Sequence, residues 1–305
     1  MKQSITRSKW FLELLLVLVT LFWGLSYIWV KQVTDAGMNV NAFASIRYII
    51  ATGCMLPLTL RELKTATKTD WKNGFIIGGL LYGALFFQTV GLNYTTPASS
   101  AFITTAYVVM VPFVMWVLMK QKPEKQIVFA ILICVVGLYF LNMQPGQGLA
   151  VNLGNALTLI CALCWALQVT YISVAGQQTG TKLLAFLPLV TGAIFATAVS
   201  LCTGAYSGLA ETFPKAWLPV VLCALMPSVA CGLLQAYVQK YLDPANAAVI
   251  YTLESVITCV VSILMGFERF SLRLVLGGGL IIGAVLLAQL PLPGKKKKEE
   301  KEEVQ

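Results

Sequence analysis

Glu254 is the side chain in this sequence best placed to do chemistry away from water. It lies ten residues into an apolar stretch that starts at Pro244, about 15 Å along a helix and near the midplane of a bilayer. A charge at that depth costs on the order of 3 kcal/mol on the gentlest scale. It is tolerated where the carboxylate faces water, pairs with a cation or carries a proton. Two roles follow, an acceptor for a solute ammonium or a proton carrier, against a structural reading as a protonated carboxyl bonded to a neighbouring helix.

Arg47 lies about six residues into its apolar stretch, roughly 9 Å along the axis, where a long stem can snorkel to the interface. Anchoring is the first expectation for it and capture of a carboxylate or other anion the second. Glu13 is shallower still and is read as interfacial. The uncharged polar set comprises Gln88, Gln235, Trp23, Trp165, Tyr27, Gln168, Tyr107 and Tyr251. The two glutamines are deep enough to need partners, which a solute supplies or which another helix supplies through bonds worth about 0.6 kcal/mol. Trp23 is about 13 residues into the first stretch, too deep for an interfacial belt, which leaves a cavity wall or a packing role.

Other chemistries are excluded by what is missing. Histidine does not occur, so the chain alone builds no histidine metal site, Ser-His-Asp triad or histidine proton relay. No cofactor or metal is expected. The aspartates Asp35, Asp70 and Asp243 fall in loops, so Glu254 has no titratable partner at depth for an intramembrane enzyme. No GxxxxGK[ST] phosphate loop is present. The eight cysteines lie in apolar blocks, and Cys161 and Cys164, though spaced as CxxC, read as small packing residues.

The elements that must position these residues are membrane helices. Of 305 residues, 58% are apolar and 11% charged, where soluble domains run roughly 45–50% and about 25%. Apolar length against breakers predicts ten spans, near 10–30, 41–60, 73–92, 97–119, 126–142, 152–174, 183–204, 217–239, 244–266 and 272–290. The first is read as a spanning helix, not a cleaved signal. Thr96-Pro97 and Asp243-Pro244 mark two starts, and Pro112, Pro188 and Pro227 are expected to permit kinks. Glycines such as Gly78, Gly79, Gly83 and Gly277 to Gly279 are read as sites of close helix contact.

Seventeen of the 22 Lys and Arg residues fall on one side of this arrangement if the N-terminus is inside. Lys31, Lys215, Arg269 and Arg273 fall on the other. Both termini are therefore expected in the cytoplasm of a plasma-membrane protein, and the net charge of +9 is read as topological, not as a sign of nucleic-acid binding. The tail PLPGKKKKEEKEEVQ from Pro291 is too charged to pack and is expected to be disordered. Its lysine run suits anionic headgroups or a solvated anchor.

Sliding the chain on itself by 147 positions aligns Gln88–Thr105 with Gln235–Thr252, with seven of eighteen pairs identical, among them Gln88/Gln235, Tyr94/Tyr241 and Pro97/Pro244. Trp23 matches Trp165 at a slightly different offset, and Tyr107 matches Glu254. The unit is five helices used twice. Because five is odd, the second copy must be inverted, the architecture of many secondary transporters. The expected organisation is a cytoplasmic segment 1–9, a first five-helix repeat 10–143, an inverted second repeat 152–290 and a tail 291–305.

The sequence resembles the ten-helix EamA-type members of the drug/metabolite transporter superfamily from Trp10 to Gln289. The resemblance is carried by Phe22-Trp23-Gly24-Leu25-Ser26, Arg47, Gly91-Leu92-Asn93-Tyr94-Thr95-Thr96-Pro97-Ala98, Leu253-Glu254-Ser255-Val256 and Gly266-Phe267-Glu268. Ser255 stands where the family usually has proline, and Lys120-Gln121-Lys122 lacks a glutamate often found there. The resemblance implies a transporter, frequently an exporter of amino acids or other small metabolites, with a central cavity between the repeats. The expected function is alternating-access transport of such a solute, with proton coupling as one option. A channel, a non-transporting sensor and an intramembrane enzyme are the alternatives.

Overall fold

Helix starts in this chain are written in its polar residues. Thr67 accepts from the backbone of Asp70 while the Asp70 carboxylate accepts from the backbone of Thr67, a reciprocal cap that opens a helix. Thr96 accepts from the Ser99 amide with Pro97 in the first turn, as its sequence predicts. Asn39 and Asn152 cap two further helices.

The computed structural model describes residues 9–120, 125–144, 148–149, 152–242 and 250–289. The Asp243-Pro244 start, most of the terminal basic residues and the charged tail lie outside them. The described helices are α1 (Lys9–Asp35), α2 (Val40–Leu63), α3 (Lys68–Gly91), α4 (Pro97–Thr105), α5 (Tyr107–Met119), α6 (Lys125–Asn142), α7 (Leu153–Ala175), α8 (Thr181–Cys202), α9 (Leu209–Cys223), α10 (Cys231–Val238), α11 (Leu253–Leu264) and α12 (Leu272–Gln289). A π-helical turn, Ala224–Ala230, joins α9 to α10. The only described β structure is a two-residue antiparallel ladder, β1 (Met143–Gln144) with β2 (Gly148–Leu149).

Seven described helical runs are long and apolar enough to cross a membrane: Trp10–Asp35, Val40–Leu63, Lys68–Gly91, Pro97–Leu118, Leu153–Ala175, Thr181–Cys202 and Leu209–Val238. Leu253–Leu264 and Leu272–Leu287 are shorter apolar helices. Large apolar side chains such as Val117, Phe129, Ile194, Leu201 and Leu264 face outward, a surface suited to lipid and not to water.

Three spans depart from the sequence expectation. The fourth is divided at Ala106, where Ala106 and Val109 each bond three residues back in place of four. The Thr105 hydroxyl also bonds the Ala101 carbonyl, a contact that bends helices. A second break precedes α11 at Thr252, whose carbonyl accepts from both the amide and the hydroxyl of Ser255. The eighth run starts at Leu209, well before 217. Pro214 and the charges at Glu211 and Lys215 lie before the expected span, but Ala216, Val220 and Cys223 are buried, and packing overrides local propensity. Pro57 and Pro188 lie in helices that continue through them, whereas Pro227 lies in the π turn.

Packing follows a paired pattern. α2 lies on α8, and α6 on α12. α3 packs on α7 and α8, while the α9–α10 run packs on α1 and α2. α7 packs on α4 and α5, while α1 packs on α11. Small residues set the closest approaches. A Cβ on Gly78 would stand 2.5 Å from the Thr191 Cβ, and one on Gly154 would stand 2.6 Å from the Gly91 carbonyl oxygen. At Gly79, Gly279 and Gly283 no comparable contact occurs.

Candidate solute-binding cavity

α1 supplies Trp23, Ser26 and Tyr27 to a central cavity, one helical turn presenting three side chains to one face. Gly24, between them, brings the α1 backbone against α11. A Cβ there would lie 3.1 Å from the Glu254 carbonyl oxygen, and the Thr258 hydroxyl donates to the Gly24 carbonyl at 3.1 Å. This contact fixes where Glu254 enters the cavity. Two turns of α3 contribute Leu85 and Gln88, the break between α4 and α5 contributes Thr104 and Tyr107, and α7 contributes Trp165 and Gln168. Gln235 comes from α10 and Glu254 from the first turn of α11, beside the second break. The water-accessible volume is about 60 Å3, room for roughly four waters at the ~15 Å3 each requires.

Nine of the residues singled out from sequence therefore converge: Glu254, Gln88, Gln235, Trp23, Trp165, Tyr27, Gln168, Tyr107 and Arg47. Tyr251 does not line the cavity. It is buried and backs Trp23, with ring centroids 5.2 Å apart, while Trp23 meets Trp165 at 5.5 Å.

Arg47 corrects the snorkelling expectation. Its side chain is 3% exposed and turns into the protein, where Nε donates to the Ser228 hydroxyl at 2.9 Å and the guanidinium lies 5.9 Å from the centre of the Phe43 ring. Depth along a helix does not say which face a residue occupies, and Arg47 is on the inner face of α2. Ser228 itself escapes a reading by residue type, since it is one small hydroxyl in an apolar run. The adjacent Pro227 was the available signal. Proline has no N–H for the Cys223 carbonyl four residues back, and the Ser228 hydroxyl donates to that carbonyl at 3.0 Å.

Among the described residues the cavity carries one carboxylate, Glu254, and one guanidinium, Arg47. Neither takes part in the ion pairs found among the described residues, Lys31–Asp35 and Lys182–Glu62. Several buried polar groups on the wall lack a well-formed hydrogen bond: the Tyr107 hydroxyl and Oε1 of Gln168 have none, while the Tyr27 hydroxyl lies loosely beside Glu254 and Thr104, and Gln235 beside Tyr251. Water or a bound solute in the cavity can satisfy these groups. No cluster of metal-ligating side chains occurs among the described residues, and the eight cysteines are unpaired thiols.

Comparison with known proteins assigns the chain. The EamA-like transporter family matches it twice, over residues 10–143 and 152–290. An uncharacterized transporter of Archaeoglobus fulgidus is 32% identical over 287 residues, 93% of this chain and 87% of its own length. The uncharacterized transporter YyaM of Bacillus subtilis is 26% identical over 235 residues, 74% of this chain and 75% of its own. A protein of known crystal structure shares the fold with a TM-score of 0.66 at 17% identity, over 92% of this chain and 97% of its own. With the apolar spans, these matches identify a multi-pass membrane protein that belongs to the EamA-like transporter family.

Proposed function

We propose that the protein is a secondary transporter that moves a small organic metabolite, an amino acid or a related solute, by alternating access, in the outward direction that its resemblance implies. The observation that carries this reading is the convergence of loosely bonded donors and acceptors on one central cavity lined by Trp23, Trp165 and Glu254. A polar solute satisfies those atoms, and the small volume suits a metabolite better than a large drug.

Alternating access requires two halves that can rock about a shared site, and ten spans in two inverted repeats supply them. The paired packing supports that arrangement: exchanging α1–α6 with α7–α12 turns the α3–α7 contact into the α9/α10–α1 contact and leaves α2–α8 and α6–α12 unchanged. Breaks at Ala106 and Thr252, in matching parts of the two alignable segments, support it further. The Lys182–Glu62 ion pair joins two connections assigned to one side. The Thr96–Glu268 and Thr95–Asn155 bonds join three assigned to the other. Both termini then lie in the cytoplasm, with the protein in the plasma membrane. Glu254, the one carboxylate on the wall, serves as the proton carrier or as the partner of a solute ammonium.

Counterflow tests this reading. Proteoliposomes preloaded with the unlabelled solute should transiently concentrate external label, and uptake should saturate. Linear flux without counterflow would make the protein a pore, and no flux across a broad metabolite panel would favour a sensor.

A further inference from the structure

Arg47 holds an unusual position for a cation in a membrane protein. It is almost completely buried, yet its one hydrogen bond to a side chain is a single contact with a neutral hydroxyl, at Ser228. A guanidinium has five donors, and a buried charge is costly unless an opposite charge or several hydrogen bonds compensate it. The Phe43 ring, 5.9 Å away, compensates only in part. Glu254 shares the cavity but not an ion pair with it. The cavity wall therefore has a cation at one point that no carboxylate of the described protein pairs with.

We propose that Arg47 and Ser228 form the seat for an anionic group of the transported solute, so that the solute is a compact organic anion or carries a carboxylate among other groups. The seat is built by the π turn. Pro227 offers no N–H to the Cys223 carbonyl, the turn widens to a π turn there, and the Ser228 hydroxyl donates to that carbonyl. The Ser228 proton is thus committed to Cys223, and its oxygen is left to accept from Nε of Arg47. With Nε held, the two Nη groups form the planar fork that suits a carboxylate. A lysine in place of Arg47 would keep the charge but lose this fork. The 147 offset carried seven residues upstream of the aligned segment pairs Ser228 with Leu81, which is also on the wall and has no hydroxyl.

This inference rests on the cavity being the solute's path, and its test reads binding separately from flux. The full-length protein, purified in detergent, is titrated with acetate and with its neutral isostere acetamide at constant ionic strength, and the tryptophan fluorescence, to which Trp23 and Trp165 on the same cavity wall contribute, is followed. Acetate should give a saturable change, and acetamide should need at least about tenfold higher concentration for the same effect. Arg47→Gln should abolish that preference. Ser228→Ala should weaken acetate severalfold while leaving acetamide unchanged, a difference that a purely structural role for Ser228 would not produce. If Arg47→Gln does not fold, Ser228→Ala and Arg47→Lys decide by the same ratio. Equal response to both probes, no response to either, or an unchanged preference in the variants overturns the proposal. Counterflow of a neutral or cationic solute alongside such a result would leave the transporter reading standing. Acetate binding without flux of any solute would do the reverse.

Discussion

The indole rings of Trp23 and Trp165 meet with their centroids 5.5 Å apart, although 142 positions separate them in the chain. In the proposed duplication these two residues are counterparts. Counterparts that touch must lie close to the axis that exchanges the halves, so the cavity they line is where a rocking motion would pivot. The pair should show measurable coupling. A double-mutant cycle with Trp23→Leu and Trp165→Leu is expected to give an interaction of about 0.5–1.5 kcal/mol in thermal or denaturant stability. Simple additivity would separate the two rings energetically.

Glu254 has Tyr107 as its counterpart, so only one half brings a carboxylate to the cavity. Glu254→Gln keeps the size and hydrogen bonding of the side chain and removes its charge. The variant is expected to insert and fold normally while transport falls about tenfold or more, the effect of losing one charge-assisted bond. With Glu254 as proton carrier, an imposed pH gradient drives accumulation in proteoliposomes by the native protein and not by the variant; with Glu254 as ammonium partner, accumulation ignores the gradient. Wild-type transport by Glu254→Gln would remove this carboxylate from the mechanism.

Glu268, in the connection between α11 and α12, accepts a hydrogen bond from the Thr96 hydroxyl and so ties that connection to the start of α4. Burial pushes its carboxyl above the ordinary value of 4.5, while the Thr96 bond and the Arg273 charge pull back in part. A raised value in the native state means that the protonated form is favoured by folding. Its contribution is therefore full below the unfolded value and is lost as pH climbs through the native one. Stability should rise modestly on acidification through this window. Glu268→Gln, which can still accept from Thr96, should flatten the dependence, as followed by melting temperature against pH.

Gly78 packs α3 against α8 so closely that any side chain collides with Thr191 and with the Pro188 carbonyl. Gly78→Ala should cost about 1–3 kcal/mol. Gly53, in α2 with open space around its Cα, is the control, and Gly53→Ala should be neutral or stabilising by about 0.5–1 kcal/mol. Equal effects at both positions would refute the close helix contact.

Much of the site is legible in the sequence because deep polar residues are expensive in lipid and so announce themselves. Gln88 and Gln235 stand out by depth and by their match across the repeat, and both line the cavity. Arg47 was harder to read because distance along the axis fixes depth but not facing, and a long stem can run either way. Tyr251 failed for a related reason. An aromatic next to a wall residue in space packs behind it as readily as beside it. The breaks at Ala106 and Thr252 leave little trace in apolar length, since a single turn with bonds three residues back changes no residue's hydrophobicity. Ser228 takes its role from a proline one position away and an arginine 181 positions away. No local pattern encodes the second of these.

The proposal depends most on the cavity opening to each side of the membrane in turn. Ser26, on the cavity wall and buried, offers a site to test it. In a variant with the eight native cysteines replaced, Ser26→Cys is exposed to an impermeant maleimide from one side of the membrane at a time. The account predicts labelling from either side, with the solute gradient shifting the ratio of the two rates. Labelling from one side alone, whatever the gradient, would contradict it.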